Sequence, residues 1–215
     1  MPNGLIFDLD GTLVDSLRGI ALALNQTLES HGHAGHDHTA VRRFIGNGAR
    51  ELLRKASGES LTNAELDGLE VTFKKHYAAV WRDGTDIYPD IPELLETLAA
   101  AGHRLAVLSN KPHPFTVEMV AALFPGVPFD VVLGQRPEIA RKPDPAGAIE
   151  IARELSLPPG DCTVIGDSTM DLETGHRAGM NTIAVTWGYH DREALMAAGA
   201  EALAENVAEL GQLLR

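Results

Sequence analysis

The chain has 215 residues, 44% of them hydrophobic and 22% charged, with 30 acidic against 18 basic side chains and a formal net charge of −12. That length allows one sizeable core, or a core with a small accessory domain. The acidic excess argues against a nucleic-acid binder, whose affinity rests on basic phosphate contacts, and against attachment to an anionic membrane surface.

No run of about 18 apolar residues is present, so no membrane-spanning helix is predicted. Met1-Pro2-Asn3-Gly4 supplies no basic region ahead of the first apolar stretch, which argues against a secretory signal. Cys162 stands alone and forms no internal disulfide, and a cytoplasmic location fits. The choice between monomer and homodimer stays open.

Residues 3–9 form a short apolar run into Asp10-Gly11, read as a buried strand ending in a turn. From Asp15 the period changes: Leu17, Ile20, Ala21, Leu24 and Leu28 recur at helical spacing to about Ser30. Residues 31–38 carry four histidines among glycines and read as a solvated loop rather than a metal site. Helical patterns fill about 39–81, interrupted at Gly46-Asn47-Gly48 and near Gly58.

After Tyr88-Pro89 helices and strands alternate. Helices are predicted near 91–101, 114–123, 145–156, 169–178, 191–198 and 206–214. Strands are predicted at 105–108, 131–133, 163–165 and 182–185. Strands alternating with helices of this length predict an α/β fold, a Rossmann-like parallel sheet with helices on both faces. The strandless block interrupts that rhythm. The expected division is therefore an α/β core of 1–14 and 85–215 with an inserted all-α cap of 15–84.

In open parallel sheets, sites form beyond the carboxyl ends of the strands. The polar residues following the predicted strands are Asp8 and Asp10; Ser109 and Asn110; Arg141-Lys142-Pro143-Asp144; and Gly166-Asp167-Ser168. Asp8, Asp10 and Asp167 offer hard oxygen ligands suited to Mg²⁺. A divalent cation among them would reverse the local field and admit an anionic small substrate. Ser109 offers a hydroxyl, and the backbone N–H groups after it are expected to open a helix and cradle an anion. Lys142 adds a point charge. Asp171, at the start of a helix, is placed to orient Lys142 or a metal-bound water. A carboxylate can attack phosphorus, and a second can protonate the leaving group and then activate water; Asp8 and Asp10 fit those two roles.

At this point the residues resemble a family. Asp8-Leu9-Asp10-Gly11-Thr12-Leu13-Val14-Asp15-Ser16, Ser109-Asn110-Lys111-Pro112, Lys142-Pro143-Asp144-Pro145 and Gly166-Asp167-Ser168-x-x-Asp171 are similar, in order, to the four motifs of the haloacid dehalogenase superfamily. Gly46-Asn47-Gly48-Ala49 and Trp187-Gly188-Tyr189 look like its phosphoglycolate phosphatase group. The resemblance implies a Mg²⁺-dependent phosphatase for a small phosphorylated metabolite such as 2-phosphoglycolate, acting through an aspartyl-phosphate. It implies Asp8 as nucleophile and Asp10 as acid/base, with Ser109 and Lys142 holding the phosphoryl group. It implies metal ligation by Asp8, the Asp10 backbone carbonyl and Asp167, with Ser168 and Asp171 behind them. Thr12, Asn110, Gly46 and Arg50 are further candidates for contacting substrate. Asp90 departs from the group, which usually has glycine after Tyr-Pro, and Ser109 stands where many members have threonine.

Two other functions share parts of this pattern. A sugar phosphomutase would use the same nucleophile and cap but return the phosphoryl group to a sugar. A receiver-type phosphoacceptor domain combines an Asp cluster, a hydroxyl, a Lys and Mg²⁺, yet has no use for an inserted helical block. An EF-hand loop from Asp8 fails, because Leu13 and Gly19 occupy the positions that need Gly and Glu. Arg50 reads equally as a solvent-facing helix residue, and Trp81 and Trp187 as packing residues.

Overall fold

The computed structural model describes residues 3–58 and 61–215. In chain order its strands are β1 (Gly4–Phe7), β2 (Val14–Asp15), β3 (Asp86–Ile87), β4 (Arg104–Pro112), β5 (Phe129–Gln135), β6 (Cys162–Gly166), β7 (Asn181–Val185) and β8 (Ala202–Ala204). The helices are α1 (Leu17–Ser30), α2 (His38–Phe44), α3 (Gly48–Ser57), α4 (Asn63–Val80), α5 (Ile91–Ala100), α6 (His113–Leu123), α7 (Ala146–Glu154), α8 (Thr169–Ala178), α9 (Arg192–Ala197) and α10 (Val207–Leu213). The chain separates into two compact units, one of Met1–Leu13 with Ile87–Arg215 and one of Val14–Asp86.

The first unit is built on a six-stranded sheet in the order β5-β4-β1-β6-β7-β8. Every pairing is parallel. Parallel strands covered on both faces read as continuous apolar runs rather than alternating ones. β1 is buried along its whole length, and Ile6, Ala106, Leu108 and Val164 pack with Ile151 of α7 in one cluster. From β1 the crossovers run to β4 and β5 on one side, then return to β6, β7 and β8 on the other. That reversal opens a crevice at the carboxyl ends of β4, β1 and β6, the place where such sheets hold ligands.

The second unit is helical. Ile20, Ala21, Leu24 and Leu28 form the buried stripe of α1; Leu66, Leu69, Phe73 and Tyr77 form that of α4. Thr62 and Glu65 close a capping box that satisfies the first amides of α4. Gly19 and Gly84 lie so close that a Cβ on Gly84 would meet the Gly19 Cα at 2.4 Å. Among the described residues, no helix is long and apolar enough to cross a membrane.

The structure differs from the sequence expectations in four places. β4 runs on through Ser109, Asn110, Lys111 and Pro112, because β5 continues to pair with it as far as Pro112 opposite Gln135. α6 starts at His113, beside the predicted 114–123, so the amides directly after Ser109 belong to β4 and do not open a helix. β8 pairs with β7 through only three residues, too few to leave a periodic signal. β2 and β3 are two-residue strands at the edges of the 15–84 block, too short to leave a signal in the sequence. Asp90 takes φ 65°, a left-handed conformation that glycine adopts most readily and that Asp tolerates better than most residues.

Candidate active site

Three neighbouring strands deliver the polar groups. Asp8 follows β1, Asp167 and Ser168 follow β6, and Ser109, Asn110 and Lys111 occupy the last turn of pleat in β4. Lys142 comes from the connection between β5 and α7.

Lys142 is the hub. Its buried ammonium lies 2.9 Å from Asp8 Oδ1 and donates to Asp171 Oδ1 at 2.5 Å and to the Leu108 carbonyl at 3.0 Å. Those three acceptors match the three donors of an ammonium. Asn110 fixes the backbone beneath it: its Oδ1 accepts from the Lys142 N–H at 2.8 Å and its Nδ2 donates to the Lys142 carbonyl at 3.1 Å. The Asp171 side chain also closes the α8 capping box, with its Oδ2 accepting from the Ser168 N–H at 3.0 Å and hydroxyl at 2.6 Å. One carboxylate thus starts a helix and anchors a lysine.

Asp10 has a different cation. Lys111 Nζ lies 2.8 Å from both Asp10 carboxylate oxygens, and the Lys111 N–H donates to Ser109 Oγ at 3.2 Å. Asp167 is held from two sides: Thr12 Oγ1 donates to its Oδ1 at 3.2 Å, and the Tyr189 N–H donates to its Oδ2 at 2.7 Å. Trp187 Nε1 donates to the Thr12 carbonyl at 3.1 Å, and its ring meets Tyr88 edge-on at 6.4 Å. Backbone also closes on Asp167. A Cβ on Gly11 or on Gly188 would fall 2.3 Å from Asp167 Oδ2, and Gly11 sits at φ 89° besides.

Asp8, Asp167 and Asp171 each present an oxygen within 4.8 Å of the others. Burial lifts the Asp8 carboxyl from 3.8 to about 7, against the pull of Lys142 and with the repulsion of Asp171 and Asp10. Burial raises Asp167 well above the ordinary value too, and Asp8 and Asp171 add to it. Burial works against the Lys142 ammonium, but Asp171 and Asp8 outweigh it and hold its pKa above the usual lysine range. A cluster this rich in carboxylate and this poor in cations fits a hard divalent cation, which oxygen donors favour. Asp171 gives one oxygen to the Lys142 ammonium and the other to Ser168, whereas Asp167 accepts from the neutral Thr12 hydroxyl and Tyr189 N–H, which leaves its charge for a cation.

Of the side chains expected to contact substrate, Thr12 turns to Asp167 and Asn110 to the Lys142 backbone. Gly46 and Arg50 belong to the helical unit, not to the unit that holds the carboxylates. Gly46 has φ 118°. Arg50 donates to Asp67 at 2.5 Å, with Asn63 and Glu70 also in reach. In the histidine-rich loop, His36 Nε2 pairs with the Ala56 carbonyl at 2.7 Å and its ring packs edge-on against Phe44. No histidine joins a metal-binding group among the described residues.

Sequence reasoning did not assign roles to Lys111, Tyr189, Gly11 and Gly188. Lys111 lay in plain view inside Ser109-Asn110-Lys111-Pro112, but its partner is 101 residues away in the chain. Trp187-Gly188-Tyr189 stood out as a segment, yet nothing in its spacing ties it to Asp167.

Known proteins share this chain's sequence and fold. Residues 5–185 match the family model described as haloacid dehalogenase-like hydrolase. The phosphoglycolate phosphatase of Rhodospirillum rubrum is 36% identical over all of this chain and 91% of its own length. That of Pectobacterium atrosepticum is 31% identical over 98% of this chain and 92% of its own. A solved structure from Lactobacillus delbrueckii subsp. bulgaricus, provisionally assigned as a phosphoglycolate phosphatase, superposes with TM-score 0.91 at 31% identity, over 99% of this chain and 98% of that one. The chain belongs to the haloacid dehalogenase-like hydrolases and is an enzyme of their phosphatase type.

Proposed function

We propose that this protein is a Mg²⁺-dependent phosphomonoesterase that works through an aspartyl-phosphate on Asp8, with a small 2-phosphoglycolate-type ester as substrate. The observation that carries the reading is the Lys142 ammonium held between Asp8 and Asp171, beside Asp167. It gives Asp8 a fixed cation next to a carboxylate that is otherwise crowded by its own kind.

In the first half-reaction an Asp8 oxygen attacks phosphorus, the bond to the ester oxygen breaks, and Asp10 gives its proton to the leaving alkoxide. In the second, water attacks phosphorus, Asp10 takes the proton, and the bond from phosphorus to Asp8 breaks. Ser109 and Lys142 hold the phosphoryl oxygens. Asp8, the Asp10 carbonyl and Asp167 would hold Mg²⁺, and Asp171, Ser168, Thr12 and the Tyr189 N–H keep those ligands and Lys142 in place. Bound there, Mg²⁺ would supply charge neutralisation for the phosphoryl group. The inserted helical unit carries two further candidates for substrate selection, Gly46 and Arg50. The substrate class comes from the relatives named above.

Replacing Asp8 with Asn should abolish Mg²⁺-dependent phosphate release from 2-phosphoglycolate and from a generic aryl phosphate, with the fold preserved. Turnover retained by the variant would overturn the assignment.

A further inference from the structure

We infer that Lys111 reads the leaving group, binding a carboxylate borne on the carbon next to the ester oxygen, so that phosphate esters of 2-hydroxy acids are selected by the α/β unit itself. This rests on the phosphatase reading above and adds to it the residue that recognises substrate.

Lys111 and Lys142 are the two lysines among the buried described residues, at 8% and 4% exposure. Lys142 is committed to Asp8, Asp171 and the Leu108 carbonyl. Lys111 has no part in the two phosphoryl-transfer steps as written, yet it sits across them. Its N–H is bonded to Ser109 Oγ, at the phosphoryl end, and its ammonium to both oxygens of Asp10, at the leaving-group end.

That position fixes what the ammonium can reach. To donate a proton, Asp10 must come within about 2.6–3.2 Å of the ester oxygen. Lys111 Nζ, 2.8 Å from the same carboxylate, then lies within about 6 Å of that oxygen. A carboxylate one carbon beyond the oxygen falls inside this radius. A neutral alcohol offers the ammonium nothing in return. Buried ion pairs are a weak source of stability, so a lysine kept here is better explained by what it binds. Arg50, read from the sequence equally as a substrate contact and as a solvent-facing residue, has its charge answered by Asp67 and Glu70 within the helical unit.

The test compares 2-phosphoglycolate with ethyl phosphate, nearly the same size without the carboxylate, as a ratio of kcat/KM. Lys111→Gln should lower that ratio at least tenfold, the effect of one charge-assisted hydrogen bond. If Lys111 served only to position Asp10, both esters would suffer alike and the ratio would stay put, which overturns the inference. A wild-type chain inert toward both esters would overturn the 2-phosphoglycolate reading, and the recognition role with it. A second route removes both buried charges together, so that no carboxylate is orphaned. In an Asp10→Asn background, adding Lys111→Met should weaken 2-phosphoglycolate binding at least tenfold by calorimetry and ethyl phosphate binding less than threefold. Equal weakening contradicts the inference.

Discussion

Lys142 and Asp171 form a 2.5 Å ion pair in which the lysine side chain is 4% exposed and the aspartate 1%. The pair joins a loop cation to the first turn of α8, because the same carboxylate caps that helix through Ser168. The orientation of Lys142 toward Asp8 is therefore set by a helix start rather than by the flexible lysine stem.

Removing Asp171 takes away the α8 cap and one of the two carboxylates that face the buried Lys142 ammonium, leaving Asp8 alone to answer it. Asp171→Ala should destabilise the protein by about 3 kcal/mol or more, lowering the melting temperature by roughly 6–12 °C for a chain of this size. It should also cut kcat/KM about 10–100-fold, since Lys142 loses its anchor. Asp171→Asn, which can keep the cap but not the charge, should recover much of the stability and little of the activity. Calorimetric melting and steady-state kinetics on the two variants check both statements.

Gly188 offers a sharper probe of the metal ligands. A Cβ there would lie 2.3 Å from Asp167 Oδ2 and 2.4 Å from the Gly11 carbonyl, so Gly188→Ala must push Asp167 aside. The Mg²⁺ concentration for half-maximal activity should rise about 10–100-fold. A variant that titrates with Mg²⁺ like the wild type would show that Asp167 is not a ligand.

The Asp8 carboxyl also makes stability depend on pH when no divalent cation is present. Its folded value is about 7 against an ordinary 3.8, so between these the folded chain holds a proton that the unfolded chain has lost. Its contribution to folding is complete below about 3.8 and disappears as pH rises to about 7. Melted in chelator, the wild type should lose ground to Asp8→Asn between pH 5 and pH 8, and added Mg²⁺ should restore it at pH 8. A difference that stays flat with pH would contradict the burial of Asp8 as described.

Much of this was legible in the sequence, for identifiable reasons. Leu5-Ile6-Phe7 and Thr163-Val164-Ile165 are uninterrupted apolar runs ending in polar residues, so the strands and the Asp8 and Asp167 positions follow from local pattern. Ser109 and Lys142 follow from the same rule applied to the strands at 105–108 and 131–133, and Asp171 from its place at a helix start; the family motifs gave these residues their roles. What stayed hidden depends on pairing between distant segments. β4 extends through Ser109 to Pro112 only because β5 lies beside it, and that continuation carries Lys111 to Asp10. The seat of Asp167 is built from Thr12 and Tyr189, 155 and 22 residues away in the chain. Thr12 and Asn110 were expected to contact substrate from their place in the motifs. Their hydrogen bonds tie Asp167 and the Lys142 backbone, contacts that no spacing reveals.

The central claim is that Asp8 carries the phosphoryl group. Enzyme mixed with Mg²⁺ and 2-phosphoglycolate, quenched in acid within a turnover and reduced with borohydride, converts a phosphorylated aspartate to homoserine, which peptide mass spectrometry locates. Homoserine should appear at position 8 and nowhere else. Phosphate release at full rate with position 8 still aspartate, or with the label on another carboxylate, would contradict the account.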